Sequence, residues 1–559
     1  MKRAFLLTLA LMLIATLVSG CSLLPLLLTA SQSKNRDNAA DKEAEYESFV
    51  LDDGDMAAEE AMLNTWDGYL APTSLPMGYA PAMMAQDFNT EEYASVVENG
   101  FQDALTNPLS TFSADVDTAS YCNLRRMLND GYTASDIPSG AVRIEEMLNY
   151  FRYDYASPTG DDRFAVTAQL SACPWNTDNL LLMLGIKAQE APERADEGSN
   201  LVFLVDVSGS MADINKLDLV KRALTMLTDA LTEKDTVSIV TYASGEQIII
   251  DGANPAKDRL ALLSAIDSLE AGGSTNGERG LAQAYEVAQR HFRRGGNNRV
   301  IMCSDGDLNV GITSQSDLHD FVSEKKETGV YLSVLGFGAG NYKDTKMETL
   351  ADDGNGSYYY IDSMLEARKV LVEELTQTLY TVADDVKFQI EFNPAKVAAY
   401  RQVGYENRQM DDRDFENDAK DAGEVGAGAC VTVLYELVPA GAADGENSLK
   451  YQTSTLTEAA QGGEWLTVSM RSKAPGAQQS ELQTAVVDDS MLTDAPSGDF
   501  LFAAAVAEFG MILKDSENRG SATYETVLEL LKQAPLSDEY REEFFSLVKI
   551  VQRSDRLSD

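Results

Sequence analysis

A carboxylate stands directly after five apolar residues in Leu201-Val202-Phe203-Leu204-Val205-Asp206, and the chain continues Val207-Ser208-Gly209-Ser210. An apolar run of this kind reads as a strand buried on both faces, and residues 216–231 read as a helix. Where the strand ends the chain must turn, so the alternate side chains of Asp206, Ser208 and Ser210 can converge on one point. One carboxylate with two hydroxyls is a hard-oxygen set, suited to Mg²⁺ or Mn²⁺ and poor for soft metals. Two further oxygen groups fall where later elements deliver them to the same edge. Thr275 lies in Gly272-Gly273-Ser274-Thr275-Asn276 ahead of a helix, and Asp305 lies in Ser304-Asp305-Gly306-Asp307 after a strand ending at Cys303. Asp307 and Glu278 are close enough in sequence to bear on the site, as loop residues that tune its charge or hold bound water. A hydrolytic metal pair would want more bridging carboxylates and a water-activating base. The plainer reading makes Ser208 and Ser210 turn and capping residues. Asp206 resists it, because a carboxylate after an apolar strand is costly unless paired or metal-bound.

The elements that must position these groups alternate regularly over 198–384. Strands at 201–205, 236–242, 299–303 and 331–337 are separated by helices at 216–231, 256–269, 278–292 and 316–328. Helices of ten or more residues between strands imply an α/β fold with a mostly parallel central sheet and helices on both faces, whose sites sit at the carboxyl ends of the strands. Residues 105–197 read as a small mixed module, and 385–559 as a run of antiparallel strands closed by helices at 499–515, 523–532 and 538–553. The run Gly336-Phe337-Gly338-Ala339-Gly340 lacks the lysine and hydroxyl ending of a phosphate loop and follows a late strand, so its glycines read as permissive loop positions.

The N-terminus addresses the chain. Met1-Lys2-Arg3, an apolar stretch over 4–18, and Ser19-Gly20 before Cys21 make the three-part plan of a secretory signal. Apolar residues resume at 23–28, so an uncleaved helix over 4–30 is the rival reading, against which Pro25 stands. Both place the rest outside the cytoplasmic membrane. Residues 21–104 read as a tether, polar at first and then punctuated by Pro72, Pro76 and Pro81. Lys plus Arg total 45 against 89 Asp plus Glu, a net charge of -44. That field repels nucleic acid and gathers cations, so nucleic-acid partners are not expected. Beyond Cys21 there are Cys122, Cys173, Cys303 and Cys430, with no Cys-x-x-Cys pair and only two histidines, His291 and His319. Zinc and redox motifs are therefore unsupported. Cys122 and Cys173 share one predicted segment and are open to bridging in an oxidising compartment.

Leu17-Val18-Ser19-Gly20-Cys21 resembles the bacterial lipobox, which implies that Cys21 carries a lipid and becomes the mature N-terminus after a signal at 1–20. The ordered elements Asp206-Val207-Ser208-Gly209-Ser210, Thr275 and Asp305 resemble the metal-ion-dependent adhesion site of the von Willebrand factor type A family. The resemblance implies a Rossmann-like A domain in which Asp206, Ser208, Ser210, Thr275 and Asp305 hold Mg²⁺ or Mn²⁺, directly or through water, and a partner's carboxylate completes the shell. The folded part is similar to the YfbK-like group of these proteins, on Asn107-Pro108-Leu109-Ser110-Thr111-Phe112, Gly295-Gly296-Asn297-Asn298-Arg299-Val300, Phe392-Asn393-Pro394 and Val403-Gly404-Tyr405-Glu406-Asn407-Arg408. The function expected is a lipid-anchored envelope protein engaging a protein partner, one presenting an acidic residue, through the metal. The alternative is a non-catalytic assembly or regulatory subunit whose metal is only structural. No nucleophile or base points to an enzyme.

Overall fold

Residue 93 and residues 96–114, 116–191, 198–274, 277–306, 315–338, 344–375, 377, 380–441 and 456–558 are described by the computed structural model. All of them belong to one unit, 84–559. Cys21, the signal, most of the tether, Thr275, Asp307 and the strand expected near 450–453 lie outside the described residues. The first segment comprises β1 (Gln102–Asp103), β2 (Leu109–Ser113), α1 (Ala119–Asn129), α2 (Ile144–Asn149), β3 (Phe164–Ala172) and β4 (Leu180–Ala188). The central segment comprises β5 (Ser199–Asp206), α3 (Leu217–Ala230), β6 (Thr236–Tyr242), β7 (Glu246–Ala253), α4 (Arg259–Asp267), α5 (Gly277–Arg290), β8 (Asn297–Ser304), α6 (Gln315–Lys326), β9 (Tyr331–Phe337), α7 (Asp344–Asp353), β10 (Tyr358–Ile361) and α8 (Met364–Arg368). The last comprises β11 (Thr381–Phe392), β12 (Val397–Val403), β13 (Gly423–Gly426), β14 (Cys430–Pro439), β15 (Glu464–Lys473), β16 (Glu481–Asp488), α9 (Gly498–Leu513), α10 (Tyr524–Gln533) and α11 (Glu539–Ser558).

The central sheet has the order β10-β9-β8-β5-β6-β7 and is parallel except for the β6–β7 pair. Every residue of β5 is buried, and the strand's alternation sends its side chains into two different cores. Leu201, Phe203 and Val205 pack with Leu217, Val220 and Leu224 of α3, while Val202 and Leu204 pack with Leu281, Ala284 and Ala288 of α5. This is the expected α/β architecture with helices on both faces. The sequence predicts no strand at β7 or β10. Both are edge strands with one neighbour each: β7 flanks its three isoleucines with Glu246, Gln247 and Asp251, and β10 is only four residues long although all four are buried.

The flanking segments are joined by strand pairing. One sheet has the order β1-β12-β14-β4-β3, antiparallel throughout. In the other, β11 pairs with β15 along one edge and with β2 and β13 along the opposite edge, and β16 lies outside β15. The two share a core that includes Phe112, Leu184, Phe388, Phe392, Tyr435 and Val468, with the rings of Phe392 and Tyr400 stacked at 4.0 Å. Residues 105–197 and 385–559, read from chain order as two modules, thus contribute strands to the same two sheets. The central α/β segment is inserted between β4 and β11.

A helical layer completes the unit. α9 is apolar nearly all round and buried accordingly, from Phe500 and Phe502 through Ala503, Ala504, Ala505, Val506 and Ala507 to Phe509. Its first turn is capped by Ser497, whose hydroxyl accepts the Phe500 amide. α1 carries an electrostatic link to the inserted segment. Arg125, 1% exposed, donates to both oxygens of Asp362 at 2.8 and 2.5 Å and to Glu366 at 2.9 Å, residues that follow β10. It also donates to the Tyr150 hydroxyl at 2.8 Å and to Glu543 of α11 at 2.9 Å. The open Cys122–Cys173 pairing is not formed: both thiols are buried and free. Their surroundings differ, since Cys122 on α1 feels the Glu366 and Arg125 charges and Cys173 follows β3 beside Glu436.

Two stability predictions follow from these buried charges. Arg125→Met leaves Asp362 and Glu366 buried without their guanidinium, and should lower urea-measured stability by about 3–5 kcal/mol. A loss below about 1 kcal/mol would show that the carboxylates find other partners. In the helical layer, Glu508 accepts from Thr526 through Oε2 at 2.8 Å while Oε1 is buried without a hydrogen bond. Burial pushes its carboxyl up to about 7. A carboxyl raised on folding binds its proton more tightly in the native state, so its contribution to stability is fully present below about 4.5 and is lost as pH climbs through about 7. Glu508→Gln should therefore gain up to about 3 kcal/mol relative to the native chain between pH 5 and pH 8. Parallel pH–stability profiles for the two proteins would refute it.

Candidate metal centre

β5 lies between β6 and β8, and the chain passes from β5 to β6 and β7 on one side before crossing to β8 on the other. The carboxyl end of β5 is therefore the point where strand order switches, the crevice such sheets use for ligands. Asp206 is the last residue of β5, and Asp305 directly follows β8. Three backbone bonds pin the loop after Asp206. The Val207 amide donates to Tyr242 at 3.0 Å, Gly272 donates to Val207 at 2.8 Å, and Gly209 donates to Gly273 at 3.1 Å. The loop then coils through a short 3₁₀ turn, Gly209–Ala212, anchored by the fully buried Met211.

Within that frame the side chains converge. Asp206 Oδ1 accepts the Ser208 amide at 2.8 Å, and the Ser208 and Ser210 hydroxyls lie 3.0 Å apart. Asp206 is 0% exposed, and its Oδ2 is buried without a hydrogen bond among the described residues. Burial raises the Asp206 carboxyl to about 6; the Ser208 amide and hydroxyl and the Tyr242 hydroxyl beside it work against that rise, and the nearby Asp305 carboxylate adds to it. An acceptor oxygen buried without a donor, beside two hydroxyls and a second carboxylate, fits a hard cation. Among the described residues no group of three or more His, Cys, Asp or Glu side chains is placed to hold a metal, so this mixed carboxylate–hydroxyl set stands apart from soft-metal sites.

Of the predicted ligands, Asp206, Ser208, Ser210 and Asp305 come together at one sheet edge; Thr275 lies outside the described residues. The loop leading to Thr275 is held by Ser244, whose hydroxyl accepts the Ser274 amide at 3.0 Å. One participant goes unrecognised in the sequence. Lys216, read there only as the start of a helix, places its Nζ 3.0 Å from Asp305 Oδ2 and 2.9 Å from the Ser210 carbonyl. The available signal is its position, because a lysine at a helix N-terminus opposes the helix dipole and calls for a local carboxylate. Trp175 is a packing residue, buried with its indole N–H on Glu436 at 3.0 Å. His291 pairs with Asp251 at 2.6 Å, and His319 pairs with Asp353 at 2.6 Å.

With this geometry in hand, the relatives are informative. The family described as "von Willebrand factor type A domain" matches residues 200–377, "von Willebrand factor" matches 87–183, and "Uncharacterized protein YfbK, C-terminal" matches 377–553. The chain is 39% identical over 490 residues to "Uncharacterized protein YfbK" of Escherichia coli (strain K12), a match spanning 86% of this chain and 84% of that protein. It is 28% identical over 165 residues to "Inter-alpha-trypsin inhibitor heavy chain H3" of Mesocricetus auratus, spanning 28% of this chain and 18% of that one. Among solved structures, "von Willebrand factor type A from Catenulispora acidiphila" aligns with a TM-score of 0.37 at 16% identity, over 71% of this chain and 91% of that chain. The long match and the successive family matches together mean that this chain belongs to the YfbK family of von Willebrand factor type A domain proteins.

Proposed function

We propose that the chain is a cell-envelope lipoprotein that binds a protein partner through a divalent cation, Mg²⁺ or Mn²⁺, held by Asp206, Ser208, Ser210, Thr275 and Asp305. Protein interaction or scaffolding is what membership of the type A domain family suggests. The metal dependence is supported chiefly by Asp206 Oδ2, a carboxylate oxygen buried at the sheet's switch point without a hydrogen bond. A cation there would satisfy that oxygen, and Ser208 and Ser210 would supply neutral donors that leave much of its charge for an incoming acidic side chain. The chain's own contribution is to bind and orient: no step of bond making is assigned to it. Anchoring by a lipid on Cys21 would hold the folded part outside the cytoplasm, on the inner or outer membrane.

Manganese titration followed by electron paramagnetic resonance tests the centre. The native chain should bind Mn²⁺, and Asp206→Ala should weaken binding beyond the ~10–100-fold that outer hydrogen-bonding partners are worth. Equal affinity in the two would remove Asp206 from the site. A partner then captured equally in Mg²⁺, in EDTA and with Asp206→Ala would favour the alternative, a non-catalytic assembly or regulatory subunit with a structural metal.

Anchoring has its own test. Cys21→Ser should move the protein from the membrane to the soluble fraction on cell fractionation. Retention in the membrane would favour the uncleaved helix over 4–30 instead.

A further inference from the structure

The lysine at the centre is seated with care. Lys216 is 4% exposed, immediately ahead of α3, and its side chain crosses beneath the Asp206–Ser210 loop to reach Asp305. Its stem runs against Gly338, at the end of β9, where φ is +80°. A Cβ built on Gly338 would lie 2.5 Å from both Cγ and Cε of Lys216, so a side chain at that position would displace the stem. The Gly338 carbonyl is itself fixed by the Tyr360 hydroxyl. One of the glycines that reads as a permissive loop position thus forms the notch that admits the lysine.

The chemistry of that placement is a matter of charge. Asp206 and Asp305 bring two negative charges to the sheet edge, and the Lys216 ammonium offsets one of them through a 3.0 Å ion pair in which both partners are buried. A divalent ion added to this set leaves one net positive charge, whereas without the lysine the filled site would be neutral. Low exposure makes the difference matter, because buried charges are screened far less than surface ones. The whole chain carries -44, so a local positive excess also distinguishes this spot from the surface around it.

We propose that Lys216 is a built-in cation of the metal site, which neutralises Asp305, keeps metal affinity modest and leaves the metal-filled centre positive toward a partner's carboxylate. This rests on the metal reading above. Lys216 is a positioning residue here: it acts through Asp305 and through the charge of the centre.

The test compares Mn²⁺ binding by the full chain, Lys216→Gln and Lys216→Arg, using electron paramagnetic resonance for the metal and acetate as the carboxylate probe. Lys216→Gln keeps hydrogen-bond donors near Asp305 but loses the charge. It should bind Mn²⁺ at least about tenfold more tightly, while its Mn²⁺-loaded form should bind acetate more weakly. Lys216→Arg should behave as the native chain on both counts. The two opposed shifts separate a charge effect from simple loss of structure, which would weaken both. Mn²⁺ affinity in Lys216→Gln that equals or falls below the native value overturns this inference and leaves the metal site standing. Absence of Mn²⁺ binding by the native chain overturns the metal reading and the inference together. If Lys216→Gln does not fold, Gly338→Ala displaces the lysine stem while leaving every proposed metal-holding side chain in place. It should shift Mn²⁺ and acetate binding in the same two opposed directions as Lys216→Gln, and native values for both overturn the proposal.

Discussion

Taking a carboxylate out of water at the end of an apolar strand is unfavourable by several kcal/mol unless donors or positive charge meet it, and Asp206 is met on Oδ1 by a Ser208 amide while Oδ2 has no hydrogen bond among the described residues. Much of the local architecture follows from this. The loop after β5 is held by backbone bonds to Tyr242, Gly272 and Gly273, so its hydroxyls stay close to the carboxylate. Burial holds the Asp206 proton up to about 6 and marks the group as one whose charged form needs a counter-charge. The second carboxylate, Asp305, has found such a charge within the chain in Lys216.

The same constraint operates at the junction between the inserted α/β segment and its frame. β4 and β11 lead into and out of the insertion, and each lies in a different sheet of the sandwich. Two strand connections alone would leave the insertion able to pivot, and the helical layer adds side-chain links away from that hinge. Arg125 ties α1 to Asp362 and Glu366 after β10, to Glu543 of α11 and to Tyr150 after α2, four side chains drawn to one guanidinium. Its planar fork suits this work, since Asp362 is bound through two parallel N–H···O bonds. The link lies among buried groups, so it carries orientation as well as stability: Asp362 and Glu366 have no comparable partner if the segment rotates away.

Interleaving also accounts for the character of the flanks. Neither 105–197 nor 385–559 places all of its strands in a sheet of its own. Among the described residues β1 pairs with β12, and β2 pairs with β11 and through Phe112 with Gln409. β4 lies between β3 from its own segment and β14 from the other. Long-range pairing of this kind is slow to form because loop closure precedes any gain from contact. The inserted segment has its own mostly parallel sheet and, on the α3 face, a core of its own buried residues, which offers a local route to folding before the frame closes around its ends.

How much was legible in the sequence depends on whether a feature is local. The buried strand β5, its Asp206 terminus, the hydroxyls at Ser208 and Ser210 and the position of Asp305 after β8 all followed from periodicity and spacing, since a strand's end and its turn are set by neighbouring residues. The helices of the last segment were legible for the same reason, whereas Ser497 as the cap of α9 came only from the structure. Edge strands β7 and β10 were not, because β7 is only partly buried with polar residues on either side of its isoleucines and β10 is four residues long. The division of the flanks went by chain order, whereas hydrogen-bonded partners are chosen across hundreds of residues, as Phe112 is by Phe388. Lys216 shows the limit most plainly. By itself the sequence determined a hard-oxygen set at the end of a parallel strand; only the tertiary structure decided that a lysine, passing over a glycine at the end of β9, reaches one of its carboxylates. Side-chain charge meets side-chain charge in space, and no spacing along the chain encodes that meeting.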